Sequence, residues 1–248
     1  MTGHNWFDQG GGAYARYRPD YPETLADFLT ETAPDTALAL DVGCGNGQFT
    51  RLLGDRFDAV VGSDLSADQI AHAAPHPHVR YVVGAAERLD AEAKSANLIT
   101  AAQAAHWFDL PAFYAEARRV AAPGAVLALI SYGVAVLEPR LSARFLSFYT
   151  DEIGPYWPSE RKLVDTGYAG IDFPFTELPR PDLDIVREWS ADAFLGYVST
   201  WSAVRRAIEA GQGDMLDSFS RDLLELWGDP ARTRRVSWPI AMRLGRIE

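Results

Sequence analysis

Ala39-Leu40-Asp41-Val42-Gly43-Cys44-Gly45-Asn46-Gly47-Gln48 is the stretch that decides the fold. A compact apolar run from Ala37 to Asp41 gives way to glycines at alternate positions. Phe49, Leu52 and Leu53 then follow at helical spacing. The pattern is a strand, a tight turn and a helix. Glycine tolerates positive φ and lets a ligand approach the backbone, and a helix N-terminus offers unpaired N–H groups. The turn is therefore a candidate nucleotide cradle. The bland alternative is a tight turn that holds no ligand.

Working outward, Ala59 to Ser63 forms a second strand that ends at Asp64. An acid at that tip can accept both hydroxyl protons of a ribose; otherwise it caps the helix opened by the capping box Ser66-x-x-Gln69. Third, fourth and fifth strands are expected at Val79–Val83, Asn97–Ala102 and Ala125–Ser131. A helix behind Asp109, with Pro111 in its first turn, presents Phe113, Ala117, Val120 and Ala121 on one face and should stop near Gly124. Strand–helix alternation with strands apolar on both faces predicts an α/β fold, a doubly wound and mostly parallel sheet. Parallel strands end on one edge, so Gly43, Asp64, Glu87 and Gln103 should converge in one crevice.

The glycines at 43, 45 and 47 depart from the Gly-x-Gly-x-x-Gly spacing of a dinucleotide site, since position 48 is Gln. The chain instead resembles the class I S-adenosylmethionine-dependent methyltransferases, whose first motif is acidic-x-Gly-x-Gly-x-Gly, here Asp41, Gly43, Gly45 and Gly47. The resemblance implies that S-adenosylmethionine is the cofactor and that Asp64 holds its ribose. Leu65 matches the apolar residue beside the adenine. Gly84-Ala85-Ala86-Glu87 matches the segment at the adenine edge, so Ala86 and Glu87 join the cofactor residues, as do Cys44 and Gln69. Gln103-Ala104-Ala105-His106-Trp107-Phe108 matches the run that lines the methyl-donor site. Together with Tyr17-Arg18-Pro19-x-Tyr21-Pro22, that run looks like the type 11 small-molecule group and is similar to trans-aconitate methyltransferases.

Beyond Gly133 the texture changes, and five of the seven tryptophans follow residue 150. One helix is expected around Leu141, Phe145 and Phe148. A long second one should run from Phe194 through Trp201 to Ile208, and a third from Met215 to Leu226, closed by Gly228. The end alternates from Val236 to Leu244 as an antiparallel strand, with Pro239 on an unpaired side or at a bulge. A single methyltransferase domain over 1–248 follows. It comprises an N-terminal flap (1–20), a cofactor core (21–132), helical lid additions (138–165 and 180–230) and a final strand (234–247). The sheet is expected to be seven-stranded.

Methyl transfer from a sulfonium needs a base only if the acceptor still carries its proton. His106 is the candidate base or acceptor-orienting group, with a partly buried structural histidine as the alternative. Tyr17, Trp107 and Trp201 are expected around the acceptor. Arg18 is expected at the methionine carboxylate or at an acidic substrate. Cys44 lacks a nearby base and is not a nucleophile. His72, His76 and His78 have metal-like spacing but no carboxylate or cysteine partners nearby, so no metal is expected.

Charge narrows the partners. Twenty-three basic residues against 34 acidic give a net charge of −11, which disfavours nucleic acid and anionic membrane surfaces. No apolar run approaches a bilayer span. The single Cys44 suits a reducing, cytoplasmic setting. The expected function is methyl transfer to a small-molecule acceptor through oxygen, a carboxylate included, or nitrogen. A nicotinamide-dependent oxidoreductase and a non-catalytic scaffold are the rivals. Oligomeric state stays open.

Overall fold

The structure is a computed structural model that describes residues 17–248. Gly10 to Gly12, Tyr14 and most of the expected flap lie outside the described residues. The first half alternates as expected. Helix α1 (Glu23–Thr32) precedes β1 (Ala39–Val42), α2 (Gln48–Gly54), β2 (Val60–Asp64), α3 (Ala67–Ala71) and β3 (Val79–Val83). After them come β4 (Ala96–Ala102), a 3-10 turn (Ala105–Trp107), α4 (Leu110–Val120) and β5 (Ala121–Tyr132). Asp109 caps α4 by accepting from the Ala112 N–H at 3.3 Å. That helix ends at Val120 rather than near Gly124, because Ala121 turns extended and already begins β5.

The second half departs further. Helix α5 (Pro139–Ser147), a widened turn (Phe148–Glu152) and α6 (Arg161–Asp165) are followed by two strands, β6 (Thr176–Glu177) and β7 (Leu183–Trp189). The segment read as helical from residue 180 thus opens with a strand. Then come α7 (Ala191–Ser199), α8 (Ser202–Glu209), α9 (Gly213–Trp227) and β8 (Arg234–Arg246). The expected long helix from Phe194 to Ile208 is in fact two, α7 and α8. Ser199 and Thr200 turn their hydroxyls back onto the carbonyls of Gly196 and Tyr197, both at 2.7 Å, and Trp201 is extended. Hydroxyls that bond local carbonyls compete with helix continuation. Ile208 ends up exposed.

Strand order is β3-β2-β1-β4-β5-β8, and β6 and β7 share the outer edge of β8. Among the described residues, eight strands therefore occupy seven positions. β1 to β5 are parallel, and β8 runs antiparallel to both neighbours. Pro239 pairs with Asp184 of β7 on one side, while on the other β5 has already ended at Tyr132, opposite Ile240. The lost donor therefore disrupts no ladder there. Successive residues of each strand feed opposite cores. Ala39, Leu98 and Val126 face α1, α2 and the aromatic helices α5, α7 and α9; Leu40, Ile99 and Leu127 face α4. Among the described residues no helix is long and apolar enough to cross a membrane.

Candidate active site

At the carboxyl edge of β1, β2 and β4 lies a cavity of about 720 Å³. It is reached by the glycine turn, by Asp64 and Leu65 after β2, by Ala86 and Glu87 after β3, and by Gln103 and Trp107 after β4. The convergence expected from topology is present, and the three glycines serve it differently. A Cβ on Gly43 would sit 2.4 Å from the Ala104 Cβ, and one on Gly47 would sit 2.2 Å from the Tyr81 hydroxyl. Those two let the turn pack against its neighbours. Gly45 instead faces open space, with only the Gln69 Oε1 within 4 Å.

Asp64 is pre-oriented. Its Oδ2 accepts from the Gly45 N–H and its Oδ1 from the Ser66 N–H, both at 2.8 Å. A carboxylate has about four lone-pair sites, so two remain for a ligand. Because Asp64 takes the Ser66 N–H, the capping box closes only halfway. Ser66 Oγ accepts from the Gln69 N–H, but the Gln69 side chain does not reciprocate. Its Oε1 is buried at the cavity with no partner. A buried polar atom without a partner costs about 1–3 kcal/mol, and a ligand that bonds it removes that cost.

Asp41 plays a different part from its neighbour. It is buried, and each oxygen accepts from a threonine hydroxyl, Thr100 at 2.8 Å and Thr50 at 2.6 Å. Burial pushes its carboxyl up to about 6, against the pull of both threonines; the nearby charge of Asp64 adds to the rise. Burial also raises the Cys44 thiol, so it stays protonated. Glu87 accepts from the Asp109 N–H at 3.0 Å, which ties the β3 loop to the cap of α4. Gln103 adopts a left-handed φ of 57°, and its amide donates to the Tyr132 carbonyl at 2.7 Å. Strained backbone of this kind clusters at working sites. Leu65 and Trp107 are exposed at the cavity mouth.

The structure does not bring every expected residue to this wall. Trp201 is a correction. It is 3% exposed and sits in the core among Phe145, Phe148, Tyr149, Trp157 and Tyr197. Its spacing at the start of α8 gave no means of telling core from pocket. Tyr17 packs against Gly196 of α7, and Arg18 places its guanidinium over the Tyr197 ring at 5.6 Å; neither is among the cavity-lining residues. His106 also stands behind the wall, between Ala104 and Trp107. Its Nδ1 lies 2.9 Å from the Tyr168 hydroxyl. Burial, reinforced by the Arg161 charge and opposed by Glu160, lowers its pKa to about 4, so it is neutral at physiological pH. His72, His76 and His78 bond separately to the Asp68 carbonyl, the Asp55 carboxylate and the Asp58 carbonyl.

Sequence reading missed Tyr21, Tyr132, Pro158, Glu160 and Arg206 as cavity residues. Tyr21 meets Phe49 and Tyr132 edge-on at 5.1 and 5.9 Å. Tyr132, ending a strand on the ligand edge, carried a usable signal. Pro158, Glu160 and Arg206 come from the second half, where no motif marks them.

Comparison with known proteins now bears on this geometry. Residues 40–129 match a family model described as a methyltransferase domain. A Dictyostelium discoideum protein named as a methyltransferase is 34% identical over 244 residues, covering 95% of this chain and 92% of that protein. The chain belongs to the S-adenosylmethionine-dependent methyltransferases. A solved structure from Anaeromyxobacter dehalogenans, described as a type II methyltransferase, shares 44% identity at a TM-score of 0.88, covering 93% of this chain and 98% of that one. A malonyl-[acyl-carrier protein] O-methyltransferase of Dechloromonas aromatica is 38% identical over 153 residues, 60% of this chain and 57% of that protein. The methyltransferase fold sets aside the oxidoreductase reading suggested by the glycine turn. S-adenosylmethionine is the cofactor, and the cavity fits it. The partnerless Gln69 Oε1, the two spare sites on Asp64 and the apolar Leu65 lie along one wall.

Proposed function

We propose that the enzyme methylates a small-molecule acceptor, on oxygen or nitrogen, held against the β4–β5 side of the cavity. The observation that carries this reading is the convergence of four strand ends on one cavity that also has an oriented acid and an unsatisfied amide. Asp64 receives the ribose hydroxyls, and Leu65 and Ala86 flank the base. Glu87 and Gln69 supply its polar partners, and the Gly43–Gly47 turn lets the amino-acid portion lie against backbone. Asp41, with both oxygens committed to threonines, supports the turn from below.

When bound, S-adenosylmethionine supplies an electrophilic methyl group on a sulfonium. The protein's share is orientation and exclusion of water, and fixing both reactants contributes on the order of 7–11 kcal/mol. Gln103, Trp107 and Tyr132 form the side on which the acceptor sits, and Pro158, Glu160 and Arg206 bring in the insertions over residues 138–165 and 180–230 as a lid. A small cavity and an acidic chain suit a small molecule better than nucleic acid. The likeness to trans-aconitate methyltransferases rests on Tyr17–Pro22 and Gln103–Phe108 alone.

A radiolabelled methyl-transfer screen against small acids, phenols and amines tests the reading. Label should appear on a small molecule and fall in Asp64→Ala at limiting cofactor. Label that enters only protein or nucleic acid would overturn it.

A further inference from the structure

Three aromatic residues from distant parts of the chain meet at the cavity wall. Tyr21 precedes α1, Phe49 is the second residue of α2, and Tyr132 ends β5; all three line the cavity. Tyr21 joins the other two. Its ring centre lies 5.1 Å from that of Phe49, with 62° between planes, and 5.9 Å from that of Tyr132, with 67° between planes. Parallel rings would present one face, whereas rings at these angles wall a corner from more than one side. Tyr21, Phe49 and Tyr132 are 9%, 2% and 4% exposed, so the corner is nearly dry.

Their place along the cofactor gives these rings a task. Asp64 takes the ribose end, the Gly43–Gly47 turn takes the amino-acid end, and the acceptor sits on the β4–β5 side in the reading above. The sulfonium joins those three parts. Phe49 follows the turn by two residues, Tyr132 stands at the tip of β5, and Tyr21 bridges them. The acids of the cavity are engaged elsewhere. Asp41 gives both oxygens to threonines, Asp64 accepts two backbone N–H groups beside the ribose, and Glu87 accepts the Asp109 N–H. Glu160 comes from the lid and accepts from the Ser159 hydroxyl. A cation over an aromatic face is attracted by the ring quadrupole, more strongly where water is excluded.

We infer that Tyr21, Phe49 and Tyr132 form an aromatic corner that recognises the positive charge of the sulfonium and so distinguishes the cofactor from its neutral product. The inference rests on the methyltransferase reading above. S-adenosylmethionine and S-adenosylhomocysteine share every group assigned there to Asp64, Gln69 and Glu87. They differ by one methyl group and one positive charge. A corner that reads this charge holds the cofactor before transfer and loosens on the product afterwards. The ring of Tyr21, not its hydroxyl, is the working group.

The test is calorimetric titration of S-adenosylmethionine and of S-adenosylhomocysteine, without acceptor, into one preparation of the full chain. It reads the ratio of the two affinities. An unfolded fraction weakens both ligands alike and cancels in that ratio, so a destabilised variant stays informative. Tyr21→Leu should weaken S-adenosylmethionine roughly tenfold more than S-adenosylhomocysteine. Tyr132→Leu should shift the ratio in the same direction, and Tyr21→Phe should leave it at the wild-type value. Equal weakening of both ligands in Tyr21→Leu would overturn the inference, since it would show a wall that packs on the cofactor without reading its charge. A ratio lost in Tyr21→Phe would overturn it too, by passing the role to the hydroxyl. Failure of the wild type to bind either ligand would be a different result, one that removes the methyltransferase reading and this inference with it.

Discussion

The two halves of the chain reach the cavity by different means. Between residues 39 and 132 the ligand-facing groups stand where strands end, held by backbone: Gly45 and Ser66 fix Asp64, and Asp109 holds Glu87. Between residues 138 and 227 the chain is organised by aromatic packing. Phe148 stacks on Phe219 at 3.8 Å, and Trp201 joins Phe145, Tyr149, Trp157 and Tyr197. Only Pro158, Glu160 and Arg206 of that half reach the cavity wall. A site made from strand ends leaves a motif in the sequence. A cover made from core packing leaves only an apolar periodicity.

The sharpest way to break this contrast is to substitute the glycines one at a time. Gly43→Ala combines a left-handed backbone with a Cβ 2.4 Å from Ala104 and should cost about 2–6 kcal/mol of stability by chemical denaturation. Gly45→Ala shares the left-handed backbone, at φ 55°, but its Cβ meets open space, so it should lose less stability than Gly43→Ala and add a loss of cofactor affinity by calorimetry. Equal stability losses at both positions would mean that the turn is one packed unit with no ligand-facing member.

Trp201→Ala probes the other half. Removal of a buried tryptophan typically costs about 3–5 kcal/mol. The loss should appear in denaturation midpoints, with affinity for S-adenosylhomocysteine retained in the folded fraction. A stable Trp201→Ala protein with weakened cofactor binding would blur the division between the halves.

The smallest effect concerns pH. His106 titrates near 4 in the fold against about 6.5 unfolded, so the unfolded chain binds the extra proton between those values. Its contribution to stability is present above about pH 6.5 and is lost as pH falls toward 4. Stability measured across that window should fall less steeply in His106→Gln than in the wild type. The wild-type rate profile should also lack a histidine ionisation near 6.5. An inflection there that vanishes in His106→Gln would show an imidazole titrating freely.

How much of this was legible beforehand follows the same division. Asp41 to Gly47, Asp64 and the capping-box serine announced their places, because glycine spacing and strand-end acids report backbone geometry directly. Gln69 was placed at the cavity, but the reason, that Asp64 takes its half of the capping box, is tertiary. Trp201 was misplaced because a core tryptophan and a pocket tryptophan share one periodicity. The break between α7 and α8 turned on two hydroxyls that bond backwards, and such bonds leave little trace in an apolar pattern. β7 was hidden for a related reason. Its exposed Val186 and polar Arg187 and Glu188 interrupt the strand alternation.

Calorimetric titration of S-adenosylhomocysteine into wild-type and Asp64→Ala protein tests the central claim most directly. The account predicts saturable binding by the wild type, and a loss of about 1–3 kcal/mol in the variant as the ribose hydroxyls lose a charged acceptor already aimed by Gly45 and Ser66. A folded Asp64→Ala protein that binds as tightly as the wild type would contradict it.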